Sequence, residues 1–440
     1  MTIDVWGELA PGTRTFLQGL SSTDNTVEVK VHDVCVVPDE SCSALDVCID
    51  SIASLKPVLY KIKSTSVEKI NLKIINDDGA SKDWTHLVGE ALAENTTVTA
   101  LDVTINNYMT NVTADFGKDL GESLLRCSSI TVLNLAINNY TKMAEGWECS
   151  LVKSLSKLAS LTTLSLAIDD HGEVRTVGEE SLGEGLMAMK SLSTLSVEIN
   201  GRNLKKFWSY FLRKCLKENN SLSLLCVTVN NYDDDIEDPD YSFDESYEEP
   251  DYWYDGLADG LARTTSLNEL TLTINNITLS DSCWVESVCK GFLENESVTT
   301  LTVTVSGDPF FPKCESWVPE LNYGLSKNNS LTTLTLIANE YSKGERREGR
   351  DLFWADKMSS AENASLTTLN LTINICREVS EDWLPKLCDC LVNSSSLTTL
   401  RLNVNNHCAT NESRIYDFSK LRLKYRSLST FELIVTFYGE

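Results

Sequence analysis

The sequence predicts an α/β solenoid in which one strand–turn–helix–turn unit is repeated along a chain of 440 residues. Three observations support this fold class. Eight of the nine tryptophans fall at one place in a repeated unit, each ahead of a Ser or Thr at an almost fixed distance. That Ser or Thr opens a segment of the form S-L-T-T-L-x-L-x-I-N-N, and apolar residues follow each Trp at helical spacing. We therefore expect one domain, residues 1–440, although the length alone would allow two or three.

The repeat period is set by the opening residues. Their spacings are 30 to 35 residues, apart from one of 45 between Ser221 and Ser266. A degenerate earlier copy is expected through Val27, Val29 and Val31, which gives about 12–13 repeats. A single unit of this size cannot bury enough apolar surface to offset the conformational entropy that it loses on folding. Neighbouring units must therefore stack and share one hydrophobic core. The twelve opening residues are Ser66, Thr97, Ser129, Ser160, Ser191, Ser221, Ser266, Ser297, Ser330, Ser365, Ser396 and Ser427.

Each unit begins with a strand. Counting the opening residue as position 0, positions 4 and 6 are apolar throughout and position 8 usually is, which is the period of a strand with one buried face. An apolar position 8 predicts that the strand continues beyond position 6 and so has a longer end. Position 9 is Asn in eight copies, and we expect an internal ladder in which these side chains bond the backbone of the neighbouring turn. The eight are Asn106, Asn138, Asn200, Asn230, Asn275, Asn339, Asn374 and Asn405.

A helix follows each strand. From each Trp the fourth residue is usually Leu or Val and the eighth is Leu or Phe, as in Trp147, Leu151 and Leu155. That spacing places the three side chains on one helix face. Because a helix separates consecutive strands, the strands must be parallel. Seven tryptophans lie thirteen residues before the opening residue, and the eighth, Trp354, lies eleven residues before it. The seven are Trp84, Trp147, Trp208, Trp253, Trp284, Trp317 and Trp383.

The pattern L-x-x-L-x-L-x-x-N is typical of leucine-rich repeats, and the period near 31 falls just above their usual range of about 20–29 residues. The pattern, carried by Leu161, Leu164, Leu166 and Asp169 and their counterparts, resembles the ribonuclease-inhibitor type. That resemblance implies a horseshoe with an inner parallel sheet and outer helices. The repeat style is also similar to the C-terminal repeat region of NOD-like (nucleotide-binding leucine-rich-repeat) receptors, which implies a sensing or regulatory role in intracellular innate immunity. No G-x-x-x-x-G-K-S/T motif occurs, so in a receptor of this kind the N-terminal nucleotide-binding module would lie outside this chain. Neither end shows an evident polar capping unit, so we expect either a piece of a longer protein or an array capped by its odd first unit and its bare last strand.

Composition narrows the classes of function. The net charge is −26, which argues against nucleic-acid binding because phosphate contact needs a basic face. No apolar run approaches a membrane span, and the first residues do not form a signal peptide. The 14 cysteines are scattered without a disulfide framework, which favours a reducing, cytoplasmic compartment.

Eleven N-x-S/T sequons occur, and five of them are the Asn two places before the opening residue. We interpret these as by-products of the repeat consensus, and the alternative is an exported, extracellular glycosylated recognition protein. The five are Asn95, Asn219, Asn295, Asn328 and Asn363.

Two insertions interrupt the repeats. An acidic loop, residues 233–252, causes the spacing of 45, and a mixed but largely basic loop, residues 341–351, follows three units later. The acidic loop is expected either to bind a basic protein partner or to be a solvated surface insertion. The acidic residues of this loop are Asp233, Asp234, Asp235, Glu237, Asp238, Asp240, Asp244, Glu245, Glu248 and Glu249, together with Asp251.

The sequence carries no sign of catalysis. The four histidines are far apart in the repeat register, no nucleophile–base pair stands out, and the abundant Ser and Thr belong to the repeat. We therefore expect a chain that is not an enzyme and that holds no cofactor and no metal ion.

The remaining candidate is the inner sheet face, expected to be concave. Positions 5 and 7 should point into the concavity, where Thr and Asn predominate. This face predicts a protein-interaction scaffold, although the preference of Thr for exposed strands also explains it. The alternatives are an adaptor or inhibitor subunit, such as a ubiquitin-ligase substrate recruiter or an enzyme inhibitor, and, more remotely, ice binding by Thr rows. The candidate residues are Asp102, Thr104, Asn134, Glu198, Thr228, Thr271, Thr273, Thr302, Thr304, Asn370, Thr372 and Arg401.

Overall fold

The structure is a computed structural model, and it describes the repeat strands together with part of the helical layer. The described residues are 2–6, 28–32, 44–49, 52–76, 84–108, 115–140, 146–170, 184–186, 188–201, 205–231, 253–277, 290–307, 328–340, 365–375, 396–406 and 428–437.

The described part of the chain contains one large parallel sheet of 13 strands. The strands follow each other in chain order from β3 to β15, and the first and last are not joined, so the sheet is open. This arrangement confirms the predicted α/β solenoid of repeats. The strands are β3 Ala44–Ile49, β4 Lys69–Asn76, β5 Ala100–Asn107, β6 Val132–Asn139, β7 Thr163–Asp170, β8 Thr194–Gly201, β9 Leu224–Asn231, β10 Glu269–Ile277, β11 Thr300–Gly307, β12 Thr333–Glu340, β13 Thr368–Ile375, β14 Thr399–Asn406 and β15 Thr430–Phe437.

The segment expected to be a degenerate first repeat does not belong to this sheet. Strand β2, Glu28–His32, contains Val29 and Val31 but pairs in parallel with β1, Thr2–Trp6, in a separate two-stranded sheet. The first strand of the large sheet is β3, in which Leu45 pairs with Ile70 of β4. The alternating apolar residues of β2 therefore predicted a strand correctly, but the prediction that this strand is a copy of the repeat in the large sheet was wrong.

Helices follow the strands, as the Trp-based spacing predicts. Neighbouring helices contact each other, and their apolar residues share one hydrophobic cluster with the strands. The described helices are α1 Ile52–Ser64, α2 Trp84–Glu94, α3 Asp115–Leu125, α4 Trp147–Leu155, α5 Lys205–Glu218 and α6 Trp253–Arg263.

The strands bury every second residue against the helical layer. In β6, Leu133, Leu135 and Ile137 are at most 1% exposed, and they occupy positions 4, 6 and 8. Strand β6 is 8 residues long and keeps this alternation to its last residue, Asn139. Strand pairing is in register, so Leu133 lies beside Leu164 of the next unit. Like positions therefore stack on like positions throughout the sheet, which is what a repeated sequence requires.

The Trp position is buried where its surroundings are described. Trp84 is 3% exposed and Trp147 is fully buried. Between them Phe116, thirteen residues before Ser129, occupies the same place in its own unit, with ring centroids 6.4 Å from Trp84 and 5.8 Å from Trp147. The helices that carry these rings approach closely, since a Cβ at Gly117 would lie 1.8 Å from the carbonyl oxygen of Trp147. An aromatic row thus runs through three consecutive units.

Hydroxyl ladders join the turns that precede the strands. The opening Ser160 donates to the carbonyl oxygen of Ile130 at 2.7 Å, and Thr162 donates to that of Thr131 at 3.1 Å. The backbone N–H of Thr162 also donates to the Thr131 oxygen, at 2.9 Å. Equivalent bonds recur in other units, so the Ser and Thr that repeat in the sequence connect each turn to the one before it.

The Asn two places before the opening residue is buried, and its side chain makes hydrogen bonds with the backbone of the same turn. Asn95 is 4% exposed, and its Oδ1 accepts the backbone N–H groups of Thr97 and Val98 at 2.9 and 3.1 Å. Its Nδ2 donates to the carbonyl oxygens of Ile62 and Thr65 in the preceding unit. Asn295 and Asn328 make the same kind of bonds, and the three side chains leave no space for a glycan in the folded chain.

Candidate partner-binding face

The twelve candidate residues of the inner sheet all lie on one face. We call it the polar face, formed by positions 3, 5, 7 and 9 of each strand, which alternate with the buried residues. Eleven of the twelve are half-buried and Arg401 is exposed. The structure therefore places these residues on one face of the sheet, as the sequence predicts.

Strand register groups the candidate residues into clusters. Asp102 lies beside Asn134, Thr271 beside Thr302, and Asn370 beside Arg401, all at position 5 of neighbouring strands. At position 7 a continuous row joins four neighbouring strands through Glu198, Thr228, Thr273 and Thr304. Thr104 and Thr372 flank the first and last clusters at position 7.

Charge is unevenly distributed along the polar face. Across the described strands β5 to β8 the face carries Asp102, Asp169 and Glu198 and no Lys or Arg. Lys69 of β4 reaches across to Asp102, with its Nζ 2.6 Å from Oδ2, while Asn134 donates to Oδ1 at 2.5 Å. This stretch is therefore acidic, and the Asp102 carboxylate is held in place by Asn134 and Lys69.

The stretch from β10 to β13 is instead dominated by threonine. Thr271, Thr273, Thr302 and Thr304 repeat at the same positions of β10 and β11. Beyond it, the Nε of Arg401 lies 3.2 Å from Oε2 of Glu432, on the neighbouring strand β15. Because both side chains are about half exposed, this ion pair contributes little to stability, about 0–1 kcal/mol.

The Asn ladder differs from the one the sequence predicts. The position-9 residues lie on the polar face and bond each other, as when Asn138 Nδ2 donates to Asn106 Oδ1 at 2.8 Å. The internal ladder lies one residue later, where Asn76 and Asn107 donate to Asn107 and Asn139 at 2.9 and 3.2 Å. The prediction of an internal position 9 was wrong because the strand continues through position 8, so its alternation continues too.

Sequence reasoning missed an exposed aromatic pair on the polar side of the sheet. Tyr108 and Tyr140 follow β5 and β6 directly, and their rings stack with centroids 4.5 Å apart and planes 4° apart. Each is 44% exposed. Partial burial, a hydrogen bond with Tyr108, and electrostatic interaction with Tyr108 and Asp169 raise the pKa of the Tyr140 phenol. The motif N-N-Y, which occurs at both places and again at Tyr232, was the available signal.

The acidic loop, 233–252, and the second loop, 341–351, lie outside the described residues. So do the sequon Asn363 and the tryptophans Trp284, Trp317, Trp354 and Trp383.

Among the described cysteines, Cys48, Cys127, Cys149 and Cys215 are buried, and Cys226 lies half-buried at position 5 of the polar face. Burial raises the pKa of the Cys215 thiol to about 12. Among the described residues no group of three or more His, Cys, Asp or Glu side chains is arranged to hold a metal ion. Among the helices described, none is both long and apolar enough to cross a membrane.

Comparison with known proteins adds no family to this picture. The chain matches no protein-family model, and no curated protein matches it.

Proposed function

We propose that this chain is a non-catalytic protein-interaction scaffold that binds a protein partner through the polar face. The observation that carries the proposal is the regular, solvent-accessible polar face of a sheet of 13 strands. Its rows of amides, hydroxyls and carboxylates are fixed by register, so a partner would bind a pre-ordered surface and lose little entropy in ordering it. Extended surfaces of this kind are how repeat solenoids contact partners.

The proposal includes the kind of partner. The acidic stretch from β5 to β8 and the total charge of −26 favour a partner with a basic surface. The acidic loop follows β9 almost directly in the chain and carries eleven of the chain's acidic residues. We infer that this loop supplements the polar face in attracting a basic partner.

The biological setting follows from the resemblance in repeat style. We propose a sensing or regulatory region of an intracellular innate-immune receptor, placed in the cytoplasm on the pattern of its cysteines. An adaptor or inhibitor subunit would use the same face, and the choice between them depends on domains outside this sequence.

The test is partner capture from an extract of the source cells with two variants of equal charge change. The first variant combines Asp102→Lys with Glu198→Lys on the polar face. The matched control combines Glu122→Lys with Glu218→Lys, which are exposed on helices α3 and α5. We expect specific proteins, quantified by mass spectrometry, to be lost from the first variant and retained by the control. Equal capture by both variants would contradict the proposal.

Deletion of residues 235–250 tests the contribution of the acidic loop. We expect the deletion to weaken capture of the same proteins and to flatten its dependence on salt concentration, because screening acts on exposed charges. Unchanged capture would show that the loop is a solvated surface insertion that does not contribute to binding the partner.

A further inference from the structure

We propose that Tyr108, Tyr140 and Asp169 form a subsite for an arginine or lysine side chain of the partner, and that Glu198 extends it. This inference rests on the proposed function and names the chemistry of the partner at one point of the polar face.

The tyrosine pair is built by the sheet itself. The backbone N–H of Tyr108 donates to the carbonyl oxygen of Asn76 at 2.7 Å, and that of Tyr140 donates to Asn107 at 3.0 Å. The parallel hydrogen-bond ladder thus continues past the ends of β5 and β6. Strands in a sheet are about 4.8 Å apart, and the ring centroids of Tyr108 and Tyr140 are 4.5 Å apart. The rings are therefore held in a fixed stack, and binding would cost little side-chain entropy.

A carboxylate lies beside this stack. Asp169 is paired with Asn138 in the strand register, so it is on the next strand, β7, and on the polar face. The negative charge of Asp169 contributes to the raised pKa of the Tyr140 phenol. A tyrosine phenol is neutral at physiological pH. Two phenol oxygens and one carboxylate can then accept hydrogen bonds from one cationic group.

A cation fits this arrangement better than a neutral or anionic group. Aromatic faces attract ammonium and guanidinium groups, and a carboxylate strengthens the hydrogen bonds that they donate.

A second carboxylate continues the subsite along the sheet. Glu198 Oε1 accepts hydrogen bonds from Nδ2 of Asn230 at 3.1 Å and of Asn200 at 3.4 Å, which orient it. Because Glu198 lies on β8, one strand beyond Asp169, an extended basic segment that crosses the strands would meet the tyrosines, Asp169 and Glu198 in turn.

The experiment is a titration followed by fluorine NMR at pH 6.5. The chain is labelled with 3-fluorotyrosine, and the signals of Tyr108, Tyr140 and Tyr60 are assigned with single Tyr→Phe variants. Tyr60 serves as the internal control because it is 75% exposed on helix α1. The probe is the peptide acetyl-Arg-Ala-Arg-amide, and the control probe replaces each Arg with citrulline, which is neutral and nearly the same shape.

We expect the Tyr108 and Tyr140 signals to shift saturably with the arginine peptide and not with the citrulline peptide, while Tyr60 stays unchanged. Tyr140→Ala and Asp169→Asn should each weaken binding about 3- to 5-fold, in line with an exposed cation–π contact. Tyr60→Ala should leave binding unchanged. A lysine peptide that binds equally well would support the same subsite as one for cations in general.

Absence of saturable shifts, equal shifts with citrulline, or unchanged affinity in Tyr140→Ala would overturn the subsite. That failure is separable from failure of the proposed function. If the polar-face lysine variant loses partner capture while Tyr140→Ala keeps it, the scaffold function stands and the subsite falls.

Discussion

The indole nitrogen of Trp84 donates a hydrogen bond to the side-chain oxygen of Asn76, with the two atoms 3.2 Å apart. A buried indole N–H requires an acceptor, and this acceptor is the first residue of the internal Asn ladder. Asn76 in turn donates to Asn107 at 2.9 Å. In this unit the Trp of the helix and the position-10 Asn of the strand end are therefore parts of one buried network that joins helix to sheet.

The aromatic row should contribute strongly to stability. Trp147 is fully buried against Phe116 and the helical layer. We expect Trp147→Ala to lower the free energy of unfolding by about 3–5 kcal/mol, as truncation of a buried aromatic residue does. Trp147→Phe should cost much less, since Phe116 fills the same place in its own unit. Urea denaturation followed by far-ultraviolet circular dichroism measures both, and an unmoved midpoint in Trp147→Ala would contradict the buried row.

The two Asn ladders should differ in their contribution. Asn107→Ala removes the partner of two buried groups, on Asn76 and Asn139, and should lower the free energy of unfolding by about 1–3 kcal/mol. Asn106→Ala, one residue earlier, removes a bond on the polar face where water can replace it, and should cost below about 1 kcal/mol. Thermal unfolding of the adjacent pair of variants gives the comparison. A larger loss of stability in Asn106→Ala than in Asn107→Ala would mean that the position-9 ladder, and not the position-10 ladder, is the buried one.

Four sequons should carry no glycan in correctly folded protein. Asn95, Asn219, Asn295 and Asn328 are 2–4% exposed, and the Nδ2 of Asn295, where a glycan would be attached, donates to the Leu261 oxygen at 2.7 Å. We expect the tryptic peptides that contain these residues to keep their unmodified mass when the chain is secreted from a eukaryotic cell and the monomeric fraction is analysed. Glycans at these residues in a fraction with a native circular dichroism spectrum would show that the turns tolerate opening.

The sequence was sufficient to predict the repeat, the buried positions and the polar-face residues, because each rests on a period that the chain repeats many times. It was insufficient at the strand ends, where Asn occurs at both positions 9 and 10 and only the observed strand length decides which is internal. The repeated motif N-N-Y marks Tyr108 and Tyr140, but their stacking depends on the hydrogen-bond ladder continuing one residue past the strand, which the motif alone does not show. The acidic loop has no repeat register, so its sequence predicts charge but no contacts.

The buried thiol of Cys215 should resist alkylation while Cys226 reacts. The reactive form is the thiolate, and burial raises the pKa of Cys215 to about 12, so its thiolate fraction at pH 8 is about one in ten thousand. Cys226 is only half-buried on the polar face, and although burial raises the pKa of its thiol as well, Thr271 partly offsets that rise through a hydrogen bond. Iodoacetamide labelling followed by peptide mass spectrometry should therefore modify Cys226 before Cys215. Raising the pH from 7 to 9 should speed labelling of Cys226, whereas Cys215 should become labelled only at the rate of unfolding, which urea below the midpoint would increase. Fast labelling of Cys215 in native conditions would contradict its placement in the closely packed helical layer.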